Sequence, residues 1–312
     1  MRSLLGIPAA AFAFLTMTGC VVYSDWGDSD RYKEDFHKSY PLRSGGTISV
    51  ESFNGSVELI GWDQASVEVD ATKYASTRRN LDDLKIVINA SNDALHIRTE
   101  RPSWTHGGMG VRYTIRVPKK AVLDRIQSSN GAVKIEDVDG PANLTTSNGS
   151  IHVTGMHGDL DVHTSNGGIG IRDLVGNANL RTSNGTIDAE AKGGRFEAVT
   201  SNGRIEARLT DPSPNSTVRL ESSNGHIELT LDARKTPDVR AETNNSSILL
   251  RLNESANARV HAHTSHGSVT SDFDELRPEN SRERHEVEGT IGGGGALIDL
   301  SSSNGPIRIV KR

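Results

Sequence analysis

An internal disulfide is closed to this chain. It carries a single cysteine, Cys20, so no internal bridge can form. Aromatic residues are only 4% of the sequence, which excludes a core built on large rings. Outside Leu4–Met17 no apolar run approaches the length of a membrane span, and that run is itself too short. Lys and Arg do not cluster, and the formal net charge is −5, which argues against nucleic acid or an anionic surface as the main partner. Signatures of familiar chemistry are also missing. There is no Gly-x-Ser-x-Gly, and no series of Gly-Gly-x-Gly-x-Asp units of the calcium-binding kind. Gly292-Gly293-Gly294-Gly295 lacks the Lys-Ser/Thr of a phosphate loop and precedes no helix, so it reads as a flexible turn.

What the chain does have is a repeat. A Ser or Thr, one residue, an Asn (once a His), usually a Gly, one residue and then Ile or Val recur ten times. Clean copies are Thr146-Ser147-Asn148-Gly149-Ser150-Ile151 and Thr182-Ser183-Asn184-Gly185-Thr186-Ile187. From Asn130 to Asn202 the spacing is 18 residues each time, and later intervals of 22, 21 and 21 lead to Asn224, Asn245 and His266. A fixed period of this length marks a stacked repeat architecture.

Counting from each Asn as zero, position −2 is Ser or Thr, +3 is Ile or Val, +5 is mostly aliphatic, and −4 is usually apolar. Several copies place Gly at −8: Gly140, Gly158, Gly176 and Gly194. Each unit therefore reads as strand, Asn-Gly corner, strand, second corner. The period-two rule places −4, −2 and 0 on one interior face and +3 and +5 on the next. Gly after Asn is expected to supply the permissive backbone of a tight corner. Stacking rungs about 4.8 Å apart should set Asn over Asn, giving a ladder through Asn130, Asn148, Asn166, Asn184, Asn202, Asn224 and Asn304. Asn245-Ser246 departs from Asn-Gly and is the weakest corner. The expected fold is all-β: a repetitive stacked β-solenoid with two strands per rung of 18 to 22 residues.

Residues 1–19 read as a secretory signal, with Arg2 ahead of an uncharged apolar stretch that ends in small residues. Met17-Thr18-Gly19-Cys20 resembles the bacterial lipobox, with Met17 where that motif prefers Leu. Cys20 is then the lipidated N-terminus, and the membrane is a partner through that lipid. Val21 follows it, where an Asp would resemble an inner-membrane retention signal; in a Gram-negative cell this favours the outer membrane. Cleavage removes one basic residue and no acid, leaving 34 − 40 = −6. Residues 20–40 read as a polar tether, 41–126 as an N-terminal β-strand region and 127–312 as solenoid repeats, with 41–312 one continuous domain. In the N-terminal region Asn92-Asp93 suggests a hairpin and Ser76–Leu84 one short helix. Between Ser271 and Ala296 the pattern breaks into Arg277-Pro278-Glu279-Asn280-Ser281-Arg282-Glu283-Arg284, read as an exposed excursion before the last rung.

Candidate chemistry is sparse. His261 and His263 share one strand face near His266, and His152, His157 and His163 fall in neighbouring rungs, but neither set has a metal-ligand spacing. No metal or other cofactor is expected. Asp188, Glu190, Glu206 and Glu228 form the one outward acidic stripe. It reads as a charged exterior that discourages aggregation, with a polysaccharide-acting β-helix enzyme as the alternative.

The repeated Ser/Thr-Ser-Asn-Gly-x-Ile marks, with Glu288-Gly289-Thr290-Ile291-Gly292-Gly293-Gly294-Gly295 and the closing Leu300-Ser301-Ser302-Ser303-Asn304-Gly305-Pro306-Ile307-Arg308-Ile309, resemble the bacterial toastrack domain family. The likeness covers roughly residues 41–312. It implies a non-enzymatic, stacked β-sheet domain of the cell envelope, of the kind often described as a candidate adhesin. Some relatives accompany envelope-stress signalling membrane proteins. The family has no established catalytic residues, so none carries over. The sequence thus predicts a lipid-anchored envelope protein that acts as a scaffold or adhesin-like surface for a protein or glycan partner. In a stress-sensor role, residues 272–290 would be the contact.

Overall fold

Alternation drives the architecture. In Ile151–His157 the residues Ile151, Val153 and Met156 are buried while His152, Thr154 and His157 are exposed, and a similar rhythm recurs in most rungs. The computed structural model describes residues 31–101, 108–213, 216–233, 235–276 and 285–312. The signal at 1–19, Cys20, the first part of the tether and Arg277–Arg284 lie outside the described residues. Among the described residues there are 26 strands, divided equally between two 13-stranded sheets.

Each rung gives its first strand to one sheet and its second to the other. In the first sheet Leu144, Val162, Leu180, Ala198, Leu220, Ala241 and Leu300 lie in parallel register. In the second, Ile151, Ile169, Ile187, Ile205, Ile227, Ile248 and Ile307 do the same. Both ribs are at most 2% exposed, and together they form the thin aliphatic interior. Burying one such side chain contributes about 1.5–3 kcal/mol. Because every rung repeats the contribution, stability accumulates along the stack.

The chain does not stack in simple sequence order. The last rung, Ala296–Ser302 with Ile307–Lys311, is inserted between Asp238–Thr243/Ile248–Leu252 and Ala258–Thr264/Val269–Ser271. At the other end, Thr47–Glu51 and Val57–Trp62 lie directly beneath Val122–Ser128 and Val133–Glu136. Antiparallel strands finish the stack. Tyr32–Pro41 pairs with Ser66–Ala75, which pairs with Met109–Pro118, and Lys85–Ala90 pairs with Ala94–Glu100 across Asn92-Asp93. The one α-helix among the described residues is Arg78–Asp83, capped where the Thr77 side chain accepts from the Asn80 amide at 3.2 Å.

Two expectations need correction. The segment after Ser271 is not wholly an exposed excursion. Phe273 and Leu276 are each 1% exposed, and Glu286–Ile291 is an edge strand antiparallel to Ala258–Thr264 with Val287 and Ile291 buried. The apolar residues there are spaced for a strand, but charged neighbours hide the pattern. Nor does position 0 face the interior. Asn148, Asn166, Asn184 and Asn202 are exposed, because the strand ends at the buried −2 residue and the corner swings the next side chains outward.

Candidate functional site: the asparagine ladder and a polar groove

The corner chemistry is the most regular feature of the molecule. At Thr164 the buried hydroxyl accepts from the Gly167 amide at 3.2 Å and donates to the Gly149 carbonyl of the preceding rung at 3.2 Å. Thr146, Thr182, Thr200 and Ser222 repeat both bonds. One hydroxyl thus satisfies a donor in its own turn and an acceptor in the preceding one, which is why position −2 is always Ser or Thr.

Outside this hydroxyl row runs the amide row. Asn130 donates to Asn54 at 2.6 Å, Asn148 to Asn130 at 2.7 Å, Asn166 to Asn148 at 2.7 Å and Asn184 to Asn166 at 2.8 Å. The series continues through Asn202, Asn224, Asn245 and Asn304. Asn245 keeps its place although Ser246 replaces Gly. The ladder ends where Asn54 donates to the Met109 carbonyl at 3.0 Å.

On the outer face of the first sheet lies a groove of about 620 Å³. It crosses the starts of five strands: Val122–Ser128, Ala142–Thr146, Leu160–Thr164, Ala178–Arg181 and Phe196–Thr200. Two hydrogen-bonded rails line it. In one, Glu197 takes Arg181 at 2.6 Å, Arg181 Nε donates to Asn179 at 3.1 Å, and Asn179 donates to Asp161 at 3.0 Å. In the other, the Arg195 amide donates to Asn177 at 2.7 Å and Asn177 donates to Asp159 at 2.8 Å. Glu197 is only 5% exposed and also takes Arg195 at 2.8 Å, so it pairs with both guanidinium groups. Leu160, Ala142 and Ala178, at the same strand starts, are buried and turn their side chains to the interior.

A profile of the family described as Toastrack DUF4097 matches residues 46–310. The chain belongs to the toastrack family. This toastrack chain is also similar to solved structures. One, described as a candidate adhesin, comes from Bacteroides fragilis, with 12% identity, 89% of this chain and 97% of that chain covered, and a TM-score of 0.38. A candidate adhesin of Parabacteroides distasonis has 11% identity, 88% and 97% coverage, and a TM-score of 0.39. A candidate lipid-binding protein of the same species has 12% identity, 89% and 96% coverage, and a TM-score of 0.35. No curated protein matches the toastrack chain.

The acidic stripe of the toastrack domain is matched by arginines. Asp188 pairs with Arg172 at 3.0 Å, Glu190 with Arg208 at 2.6 Å, Glu206 with Arg204 at 3.5 Å and Glu228 with Arg251 at 3.0 Å. The hydrogen bond from Arg172 holds the Asp188 carboxyl below the usual carboxylate range. That is the wrong direction for a general acid, which needs a raised value.

The histidines expected as neighbours are separated. His152 lies over Gly170 on one sheet, His157 bonds to Asp139 at 2.7 Å, and His163 is exposed on the other sheet. His261 stands between Asp299 at 3.0 Å and Glu286 at 3.3 Å, with His263 exposed beside it. Sequence reading missed a different cluster. His37, Glu68 and Asp70 are the one tight group of potential ligands among the described residues. Arg116 lies 3.2 Å from Glu68 and 3.5 Å from Asp70, so a fixed cation already faces both carboxylates. Its members come from two strands that only the antiparallel pairing joins, so no sequence spacing announced it.

Proposed function

We propose that this chain is a non-enzymatic cell-envelope protein, exported and lipid-anchored through Cys20, whose toastrack domain presents a rigid surface to a protein or glycan partner. In a Gram-negative cell the anchor points to the outer membrane. The observation that carries the reading is the continuous hydrogen-bonded ladder from Asn54 to Asn304, which ties successive rungs into one extended, ordered face. The arginine pairing of the acidic stripe supports the non-enzymatic part, because these carboxylates already face guanidinium groups. A role beside an envelope-stress sensor is the finer form of the same reading, with a membrane protein as the partner.

Two experiments test it. Cys20→Ser should move the protein from the membrane fraction to the soluble fraction, and persistent membrane attachment overturns the anchor. Crosslinking in intact cells, read by mass spectrometry, should recover a reproducible envelope protein or glycan. Recovery of neither, together with hydrolysis of a polysaccharide that is abolished by Asp188→Asn or Glu206→Gln, overturns the surface reading in favour of an enzyme.

A further inference from the structure

We propose that Asn54 is a modification site: it converts to aspartate and isoaspartate through a succinimide, ahead of every other asparagine that precedes a glycine. The attacking group in this reaction is the backbone nitrogen of the residue after the asparagine, and glycine leaves that nitrogen unhindered by a Cβ. Eight Asn-Gly pairs occur in the chain, from Asn54-Gly55 to Asn304-Gly305, so all eight share the same local chemistry. What separates them is the state of the glycine amide.

In seven of the eight the fold withholds that amide. From Gly131 to Gly225, and again at Gly305, the glycine N–H donates to the hydroxyl three residues back at 2.8–3.2 Å. Each of these glycines is buried and none has a positive φ. A base must take the proton from the nitrogen before it can attack, and a buried N–H bonded to a buried hydroxyl is out of reach.

The corner at Gly55 is different because it is the first of the stack. Its neighbour on the outer side is the strand Met109–Pro118, not another corner, and the Val111 and Tyr113 amides donate to the carbonyls of Asn54 and Ser56, both at 2.9 Å. The Ser52 hydroxyl finds no glycine carbonyl of a preceding rung and turns to the Asn54 carbonyl at 3.5 Å. Gly55 takes φ +102° and is half-buried, and its N–H has no hydrogen-bonding partner among the described residues. The carboxamide itself gives no advantage. Asn54 is bonded to Asn130 and to the Met109 carbonyl and is half-buried, whereas the other seven asparagines are exposed. Side-chain exposure therefore ranks Asn54 last, and availability of the glycine amide ranks it first.

The step balances without an oxidant or reductant. A base removes the Gly55 amide proton, the nitrogen attacks Cγ of Asn54, the Cγ–Nδ2 bond breaks, and Nδ2 leaves as ammonia with a proton gained. Water then adds to one imide carbonyl and breaks its C–N bond, giving aspartate or isoaspartate. The new carboxylate still accepts from Asn130 but cannot donate to the Met109 carbonyl, so the modification cuts the terminal bond of the ladder. Isoaspartate also adds a carbon to the backbone where the stack joins its N-terminal cap.

The test holds the folded full chain, in detergent, in mildly alkaline buffer made with isotope-labelled water, then digests it at acidic pH and maps the peptides by mass spectrometry. Asn54 should take up label at least about tenfold faster than any other Asn-Gly site, which corresponds to about 1.4 kcal/mol in the barrier. In urea, where the fold no longer chooses, all eight should convert at comparable rates. Thr164→Val removes the acceptor of the Gly167 amide and should raise conversion at Asn166 while Asn202 stays slow. Should that variant unfold, every site rises together, and the comparison within the unsubstituted protein decides alone. Equal rates across the folded ladder, faster conversion at the exposed asparagines than at Asn54, an intact Asn54 after the urea sample has converted, or an unmoved Asn166 in folded Thr164→Val overturns the proposal.

Discussion

A methyl group built on Gly149 would stand 1.9 Å from the carbonyl oxygen of Gly131, one rung away. The same relation links Gly167 to Gly149, Gly185 to Gly167 and Gly203 to Gly185 at 1.7–1.8 Å. None of these four has a positive φ. The corner glycine is therefore required by the close approach of neighbouring backbones, and the conformational freedom expected of it is not what these positions use.

Two adjacent glycines separate these explanations. Gly167→Ala should destabilise the protein by about 3 kcal/mol or more, since the clashing atom is backbone that cannot move without its own rung. Gly168→Ala meets its nearest neighbour at 3.5 Å and should change stability by less than about 1 kcal/mol. Chemical denaturation of both variants checks the contrast, and equal effects would refute the steric account.

The hydroxyl row should matter more than the amide row. Thr164→Val strips the partner from both the Gly167 amide and the Gly149 carbonyl in a buried setting, at a cost of about 2 kcal/mol or more. Thr164→Ser keeps both bonds and should cost about 1 kcal/mol for the lost methyl. The melting temperatures of the two variants read the difference.

Asn184→Ala breaks bonds to Asn166 and Asn202, but at an exposed position where water replaces them. A loss of about 1 kcal/mol or less is expected by denaturant titration. A loss as large as that of Thr164→Val would mean that the ladder, not the hydroxyl row, holds the corner.

Both ends of the stack carry a histidine between carboxylates. His37, on the edge strand Tyr32–Pro41, lies 2.6 Å from Asp70 and 3.8 Å from Glu68. His261 lies between Asp299 and Glu286 of the edge strand Glu286–Ile291. The hydrogen bonds to Asp70 and Asp299 raise the two imidazoles above their usual 6.5, against opposing desolvation and, at His37, against Arg116. A value raised by folding contributes stability fully below 6.5 and loses it as pH climbs through the raised value. Amide exchange in these two strands, corrected for intrinsic rates and compared with Ile187–Lys192, should be faster at about pH 8.5 than at about pH 5.5. His37→Gln and His261→Gln should flatten that dependence at their respective ends. A ratio that does not change with pH would dismiss the effect.

Local chemistry made much of this molecule legible. Asn148-Gly149 and its relatives marked the corners, Ile151 and Val153 marked the buried face, and Asn92-Asp93 marked a hairpin that is present. Thr77 and Leu84 bracket the α-helix inside the predicted Ser76–Leu84. The strand Glu286–Ile291 escaped notice because Glu286, Glu288 and Gly289 dilute its apolar pattern. The groove escaped because Glu197, Arg181, Asn179 and Asp161 come from three strands and meet only through register.

The sequence by itself determined the rung: its period, its two corners, its aliphatic ribs and the hydroxyl at −2, all set by contacts within a few residues or by identical neighbours. The tertiary structure decided which rung lies against which. Parallel strands with the same side-chain pattern accept one another equally well, so the period cannot say that Ile307 pairs with both Ile248 and Val269. It also decided that the asparagines face outward and that His37, Glu68 and Asp70 converge. Those relations depend on where strands from distant parts of the chain come to rest, and hydrogen-bond register across a sheet is blind to distance along the sequence.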